Sequence, residues 1–264
     1  MESRCTIRSR HSGELEAVEL RGWPAGDGAA TDPRNLNWVM PAEGDVSTTT
    51  PPAAVVVAGG DLVPPGATET VPPGAFIIAA DSGLHSAQAL GLGVDLVVGD
   101  FDSVDAAAVD RAVAAGAAME RHPADKDATD LELGLEAALA RGLSPVLVIG
   151  GAGGDRIDHF LANALLLARP RYAPLRLRWR AGASTITPVH HHLDISGRPG
   201  DLVTLLAVGG PAEGVTTTGL RWPLGDGVLE PGSTRGVSNR MTGSAASVSL
   251  RGGTLVAVHT GGTP

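Results

Sequence analysis

Four short runs of almost unbroken hydrophobicity mark the middle of the chain: "AAVVVAGG" (53–60), "AFIIAAD" (75–81), "DLVVGD" (95–100) and "PVLVIGG" (145–151). Each closes on Gly or Asp. Continuous rather than alternating apolar character predicts strands covered on both faces, as in a parallel sheet. Between and after these runs the spacing becomes helical. "SVDAAAVDRAVAAG" (103–116) sets Val109, Ala112 and Val113 on one side and ends at Gly116. "TDLELGLEAALARG" (129–142) opens with a capping box of Thr129 and Glu132, and places Leu131, Leu135, Ala138 and Leu139 together. "RIDHFLANALLLA" (156–168) repeats the pattern through Ile157, Phe160, Leu161, Ala164 and Leu165. Alternating strand and helix predict a doubly wound, mostly parallel α/β sheet.

After Pro170 the helical spacing stops. "LRLRW" (175–179), "DLVTLLAV" (201–208), "GVTTTGL" (214–220), "SAASVSL" (244–250) and "TLVAVHT" (254–260) are strand-like runs separated by Gly and Pro turns. Several alternate, which suits antiparallel sheets with one wet face. The expected organisation is an α/β N-terminal domain over 53–174 followed by an all-β sandwich domain over 175–264. Residues 1–52 show neither periodicity and end in "GDVSTTTPP", so they are expected to form a disordered extension. Met40 is an alternative natural start, and residues 1–39 are expected to be dispensable.

Composition narrows the function. A net charge of −9 argues against general nucleic-acid binding, which needs a basic face. A single cysteine, Cys5, excludes an intramolecular disulfide and a Cys-based zinc cluster. "LANALLLA" (161–168) is too short to span a bilayer, and a soluble cytoplasmic protein is expected. Of the 20 basic residues, Lys126 is the only lysine, and it sits inside "DKDATD".

The candidate chemistry lies where the parallel strands end, the usual place for ligands in an open α/β sheet. Asp81, Asp100 and Asp102 follow strand-like runs. The last two, in "GDFDS", are two apart and share a face if extended. Their repulsion is relieved if a cation lies between them. "DKDATD" adds Asp125, Lys126, Asp127 and Asp130 at a helix start, where carboxylates can also be plain dipole-matching caps. "GGAGGDRIDH" (150–159) is a glycine-rich turn whose backbone amides could cradle phosphate, although it fits neither the dinucleotide fingerprint nor the P-loop. Acidic clusters, a lysine and a glycine turn on one sheet edge make sense together if Mg²⁺ bridges carboxylates and phosphate. That points to nucleotide-dependent phosphoryl or pyrophosphoryl transfer.

"AADSG" (79–83), "GDFDS" (99–103), "KDATDLE" (126–132), "GGAGGDRIDH" (150–159), "VTTTGLRWPL" (215–224) and "STRGVSN" (233–239) occur in that order. Together they resemble the thiamine pyrophosphokinase family over roughly residues 53 to 262. The resemblance implies an α/β nucleotide-binding domain, a β-sandwich thiamine-binding domain, and ATP- and Mg²⁺-dependent transfer of a pyrophosphoryl group to the hydroxyethyl arm of thiamine, releasing AMP. It implies a homodimer whose sites lie between the α/β part of one subunit and the β part of the other; neither nucleic acid nor membrane is expected as a partner, from the charge and hydropathy above.

Carried onto this chain, the resemblance assigns Asp81, Asp100 and Asp102 to Mg²⁺ and Asp100, Asp102 and Asp130 to catalysis. Lys126, Asp127, Thr129, Gly151, Gly154, Arg156 and Asp158 fall to the nucleotide, and Trp222, Ser238 and Asn239 to thiamine. An indole face suits a cationic thiazolium, and Ser and Asn suit an aminopyrimidine edge. The family's first motif reads Asp-Gly-Gly; here it is Asp81-Ser82-Gly83, which requires a negative φ at Ser82. "HHH" (190–192) could bind metal, but without acidic or Cys partners nearby it reads as a loop. The alternatives are a pyrophosphokinase for another heteroaromatic alcohol, such as a hydroxymethylpterin, and a catalytically silent nucleotide or thiamine sensor.

Overall fold

The computed structural model describes residues 6–11, 14–19, 46–48, 50–60, 63, 68, 71–152 and 156–261. The chain divides into two compact units, Met1–Met40 and Pro41–Pro264. In the first, strands β1 (Thr6–His11) and β2 (Glu14–Glu19) form an antiparallel hairpin with Thr6 opposite Glu19. This hairpin lies within the 1–52 segment expected to be a mostly disordered extension. β3 (Val46–Ser47), in the same segment, belongs to the second unit.

The α/β half contains β4 (Ala54–Val57), β5 (Phe76–Ala80), α1 (Gly83–Ala89), β6 (Leu96–Gly99), α2 (Ala106–Ala114), β7 (Ala118–Arg121), α3 (Asp130–Ala140), β8 (Val146–Ile149) and α4 (Ile157–Leu167). The four predicted apolar runs are β4, β5, β6 and β8, and they are buried almost throughout. Alternate residues serve opposite faces. Val56 and Ile78 pack with Leu131 and Leu135 of α3, whereas Val55, Val57 and Ile77 pack with Ala87 of α1. Ala79 and Val97 meet Ala108, Val109 and Ala112 of α2. Val113, expected beside them, is exposed.

A 3₁₀ turn (Pro170–Leu175) leads into β9 (Arg178–Ala181), β10 (Ser184–Val189), β11 (His192–Ser196), β12 (Leu202–Ala207), β13 (Ala212–Thr218), β14 (Gly227–Leu229), β15 (Asn239–Arg240), β16 (Ala245–Ser249) and β17 (Leu255–Thr260). One ten-stranded sheet runs in the order β15-β12-β17-β10-β9-β8-β4-β5-β6-β7. Pairing is parallel from β7 to β9 and antiparallel from β9 to β15. A mostly parallel sheet with helices is thus followed by an antiparallel β region, but the hydrogen-bonded ladder continues across residue 174. A second, five-stranded sheet, β14-β13-β16-β11-β3, faces the antiparallel half. Val203 and Leu205 of the first sheet share one apolar cluster with Leu193, Ile195 and Val248 of the second.

The parallel order has a switch point. From β4 the chain steps outward through β5, β6 and β7, then returns to lay β8 on the other flank of β4. The crevice beyond the carboxyl ends of β4 and β8 is where such sheets take ligands. Among the described residues, no helix is long and apolar enough to cross a membrane.

Candidate active site

A cavity of about 460 Å³ opens at this switch point, lined by Gly59 and Gly60 after β4, Asp81 and Ser82 after β5, Gly151 after β8, and Thr129 and Asp130 at the start of α3. Arg156, His159 and Asn163 close its other side. The β5–α1 turn is tight because a Cβ on Gly83 would sit 2.0 Å from the Val57 carbonyl oxygen. Ser82 enters it with φ −58°, as a serine there requires, and the left-handed conformation falls to Asp81 at φ 44°.

Asp81, Asp100 and Asp102 each present a carboxylate oxygen within 4.8 Å of the other two. Asp81 is 4% exposed and its Oδ1 is buried without a hydrogen-bond partner. Burial pushes its carboxyl pKa up; a hydrogen bond from the Ser82 backbone opposes this, and the charges of Asp130, Asp100 and Asp102 add to it. Asp100 is treated differently. The Lys126 ammonium donates to its Oδ2 at 2.6 Å and to Asp130 Oδ1 at 2.9 Å, and the bond from Lys126 holds Asp100 below the usual carboxylate range. Burial acts to lower the Lys126 pKa, but the bonds to these two carboxylates raise it. Asp102 N donates to Asp100 Oδ1 at 3.1 Å, and Ser103 Oγ to Asp102 Oδ1 at 2.8 Å. Three hard oxygen donors, one of them orphaned and buried, fit a divalent cation such as Mg²⁺.

Thr129 caps α3, its Oγ1 accepting from Glu132 N at 3.3 Å. The expected capping box is half formed, because the Glu132 carboxylate instead takes Arg169 Nη1 at 2.6 Å. The glycine turn after β8 also differs from expectation. Gly151 N donates to Gly59 O at 3.0 Å and Gly151 O accepts from Asn163 Nδ2 at 3.2 Å, so this amide is not free for phosphate. Gly150 has φ +84°, and a Cβ there would meet Ala58 O at 2.3 Å. These glycines let two strand-end loops be stitched together at the cavity floor. Gly154 lies outside the described residues.

Arg156 lines the cavity while bonding Asp158 at 2.8 Å; that bond brings the Asp158 pKa down to about 2. Asp158 itself does not line the cavity, and neither does Asp127. Trp222, Ser238 and Asn239 lie on the antiparallel region, and none of them lines it either. Trp222 is 55% exposed, with the Arg221 guanidinium 5.0 Å from its ring centre. Asn239 braces this loop: its Oδ1 accepts from Trp222 N and its Nδ2 donates to Trp222 O at 2.7 Å. Ser238 adopts φ 61° and its N donates to Thr204 Oγ1. His192 starts β11 and faces Asp194 at 3.1 Å, so the "HHH" run is only partly a loop and does have an acidic neighbour.

Sequence reasoning passed over Gly59, Asn163 and Arg121. Asn163 is a buried amide within an apolar helix, a signal that was readable. Arg121 Nη1 donates to Asp100 O at 3.0 Å, and its guanidinium lies 4.7 Å from the Phe101 ring centre. Phe101 itself has φ 64°, so Arg121 grips the strained centre of the carboxylate loop.

Residues 70–178 match the family model of the thiamin pyrophosphokinase catalytic domain, and residues 190–255 that of the thiamin pyrophosphokinase vitamin B1 binding domain. A thiamine pyrophosphokinase of Bacillus subtilis (strain 168) is 28% identical over 171 residues, 61% of this chain and 76% of that protein. The crystal structure of thiamine pyrophosphokinase from Bacillus subtilis superposes with a TM-score of 0.70 at 25% identity, over 80% of this chain and 99% of that one. Thiamin pyrophosphokinase from Candida albicans shares the fold, with a TM-score of 0.64 at 15% identity over 78% and 88% of the two chains. Sheet, switch-point cavity and carboxylate cluster define an open α/β protein with a ligand site at its switch point. With both family models matched over well more than half of its length, the chain belongs to the thiamin pyrophosphokinase family and is an enzyme of that type.

Proposed function

We propose that the protein transfers a pyrophosphoryl group from ATP to the hydroxyethyl group of thiamine, with Mg²⁺, giving thiamine diphosphate and AMP. The observation that carries this reading is the carboxylate trio of Asp81, Asp100 and Asp102, of which Asp81 lines a switch-point cavity large enough for a nucleotide's phosphates while Asp100 and Asp102 do not line it. Those three residues would hold Mg²⁺, which when bound neutralises charge building on the phosphate oxygens. Lys126 keeps Asp100 ionised and holds Asp130 in place until the substrate arrives, its ammonium standing beside the carboxylates that would hold Mg²⁺. Arg156 supplies the guanidinium on the cavity wall, which Lys126 does not line. The thiamine side is the exposed Trp222, held in place by Asn239 through the backbone rather than by contact with substrate.

A homodimer with shared sites supplies what a single chain lacks. Trp222 does not line the cavity of its own chain. On α4, Ile157, Leu161 and Leu165, spaced four apart, are 66%, 56% and 58% exposed, although the helix pattern predicts their burial. Such a ridge is the kind of surface a second copy covers, and two-fold symmetry would make the arrangement mutual. The direct test is the purified protein with ATP, Mg²⁺ and thiamine, following AMP and thiamine diphosphate by chromatography. Stoichiometric formation of both is expected. ADP with thiamine monophosphate, or turnover of a hydroxymethylpterin in preference to thiamine, would overturn the reading.

A further inference from the structure

A second cavity, of about 200 Å³, shares no lining residue with the acidic one. Its polar wall is Thr48, Arg178, Arg180, Thr185, Ser196 and His259. Arg178 and Arg180 are two apart on β9 and so share a face. In register, Arg180 lies opposite Thr185 of β10, and Thr185 opposite His259 of β17, which makes a polar row across three neighbouring strands. Ser196 of β11 and Thr48, just after β3, come from the other sheet, and Ser196 N donates to Thr48 Oγ1 at 3.1 Å.

The two arginines have no counter-ion among the described residues. No carboxylate lines the cavity. Arg180 bonds Thr185 Oγ1 at 3.1 Å, and Arg178 donates through Nη1 and Nη2 to the carbonyls of Thr48 and Thr50, neither arginine forming an ion pair among the described residues. Asp201, outside the lining, accepts from His259 Nε2 at 3.1 Å and from Arg198 N at 2.8 Å. Arg178 is 8% exposed, and its Nε is buried with no acceptor. A buried guanidinium facing only carbonyl dipoles is costly, and the shortage of partners is notable in a chain of net charge −9. Burial and the nearby Arg176 charge both draw the Arg178 pKa down.

We propose that this cavity binds a small oxyanion of the phosphate class, with Arg178 supplying charge and Arg180, Thr185 and Ser196 supplying donors. Guanidinium and hydroxyl groups are the usual recognition set for a tetrahedral oxyanion, and the volume admits phosphate or pyrophosphate but not a nucleotide. The site does not depend on the reaction proposed above, since it uses none of the same residues.

Calorimetric titration of the full chain, without Mg²⁺ and at constant ionic strength, tests it with inorganic phosphate and inorganic pyrophosphate as separate probes. One saturable site per chain is expected. Arg180→Gln should weaken it by about tenfold, the effect of one charge-assisted contact, and Thr185→Val should weaken it too. Arg178 is left intact because it also anchors the Thr48 and Thr50 carbonyls. A melting temperature equal to wild type in phosphate-free buffer checks that both variants fold. Tighter binding of pyrophosphate would point to a diphosphate-bearing ligand, and tighter binding of phosphate to the free ion. No saturable heat with either probe, or unchanged affinity in Arg180→Gln, would overturn the proposal.

Discussion

Asp81 carries its charge in the least hospitable place in the active site, buried, with one oxygen unpartnered and three other carboxylates nearby. Its pKa is raised in the folded chain, so the folded state resists its ionisation. The penalty is complete at neutral pH and is lifted as pH falls through the raised folded value toward the ordinary 3.8. Asp81→Asn should therefore raise the melting temperature at neutral pH without Mg²⁺, lose that advantage in acid, and lose turnover. A lower melting temperature at neutral pH would refute this. Asp100→Asn should bring no such gain, because Lys126 already neutralises Asp100. Arg121 acts through the backbone: Arg121→Ala should lower turnover several-fold and raise the Mg²⁺ concentration needed for half-maximal rate, with ATP affinity nearly unchanged. An unaltered Mg²⁺ titration would reduce it to a surface residue. Asp100, Asp102 and Lys126 were legible because charges stand out behind an apolar run. The brace made by Asn239 was not, since nothing in "GVSN" shows that its amide meets the backbone of a residue 17 positions away.

The strands buried on both faces were readable because every residue of β4, β6 and β8 needs an apolar partner. Edge strand β7, "AMER", is mostly exposed and carries no such pattern. Helix α1 is short, with its buried face divided among Gly83, Leu84, Ser86 and Ala87, which hides its period. The run "LRLRW" marked β9 too early, because its first residue closes a 3₁₀ turn. That strand matters beyond its length. Trp179 is fully buried, packs 5.2 Å from Phe160 of α4, and donates through Nε1 to Gly150 O at 2.7 Å. It ties the seam between the two halves to the turn that floors the active site. Trp179→Phe keeps most of the packing and leaves the carbonyl unpaired. It should lower stability by about 1–3 kcal/mol, read as a shift in denaturation midpoint, with a rise in KM for ATP. A midpoint change without a KM change would confine the bond to stability.

At the scale of the whole molecule, sequence separated two parts correctly in character but could not show that one ladder joins them, because register between β9 and β10 is a tertiary fact. The N-terminal boundary shifts for the same reason. β3 pairs with β11, and Thr48 and Thr50 accept from Arg178. Deleting residues 1–40 should leave the melting temperature of the second unit nearly unchanged. Deleting 1–52 should lower it by several degrees, since buried guanidinium donors lose their acceptors; equal melting of the two truncations would contradict the role given to Arg178. The shared-site dimer makes a sharper demand. Asp100→Asn and Trp222→Ala dimers, each nearly inactive, should regain about a quarter of wild-type activity after dissociation and equal remixing, because about half the dimers are mixed and each has one intact site of two. No recovery with mixed dimers confirmed by mass spectrometry would exclude sharing. The continuous ten-stranded sheet has a mechanical consequence as well. A hydrogen-bonded beam cannot fold at its middle without breaking its ladder, so the two halves of one chain do not close on a substrate like a jaw. In the proposed shared-site dimer, enclosure of the reacting groups would fall to the loops at the sheet's carboxyl edge and to the second copy, and the opening of those parts would govern product escape.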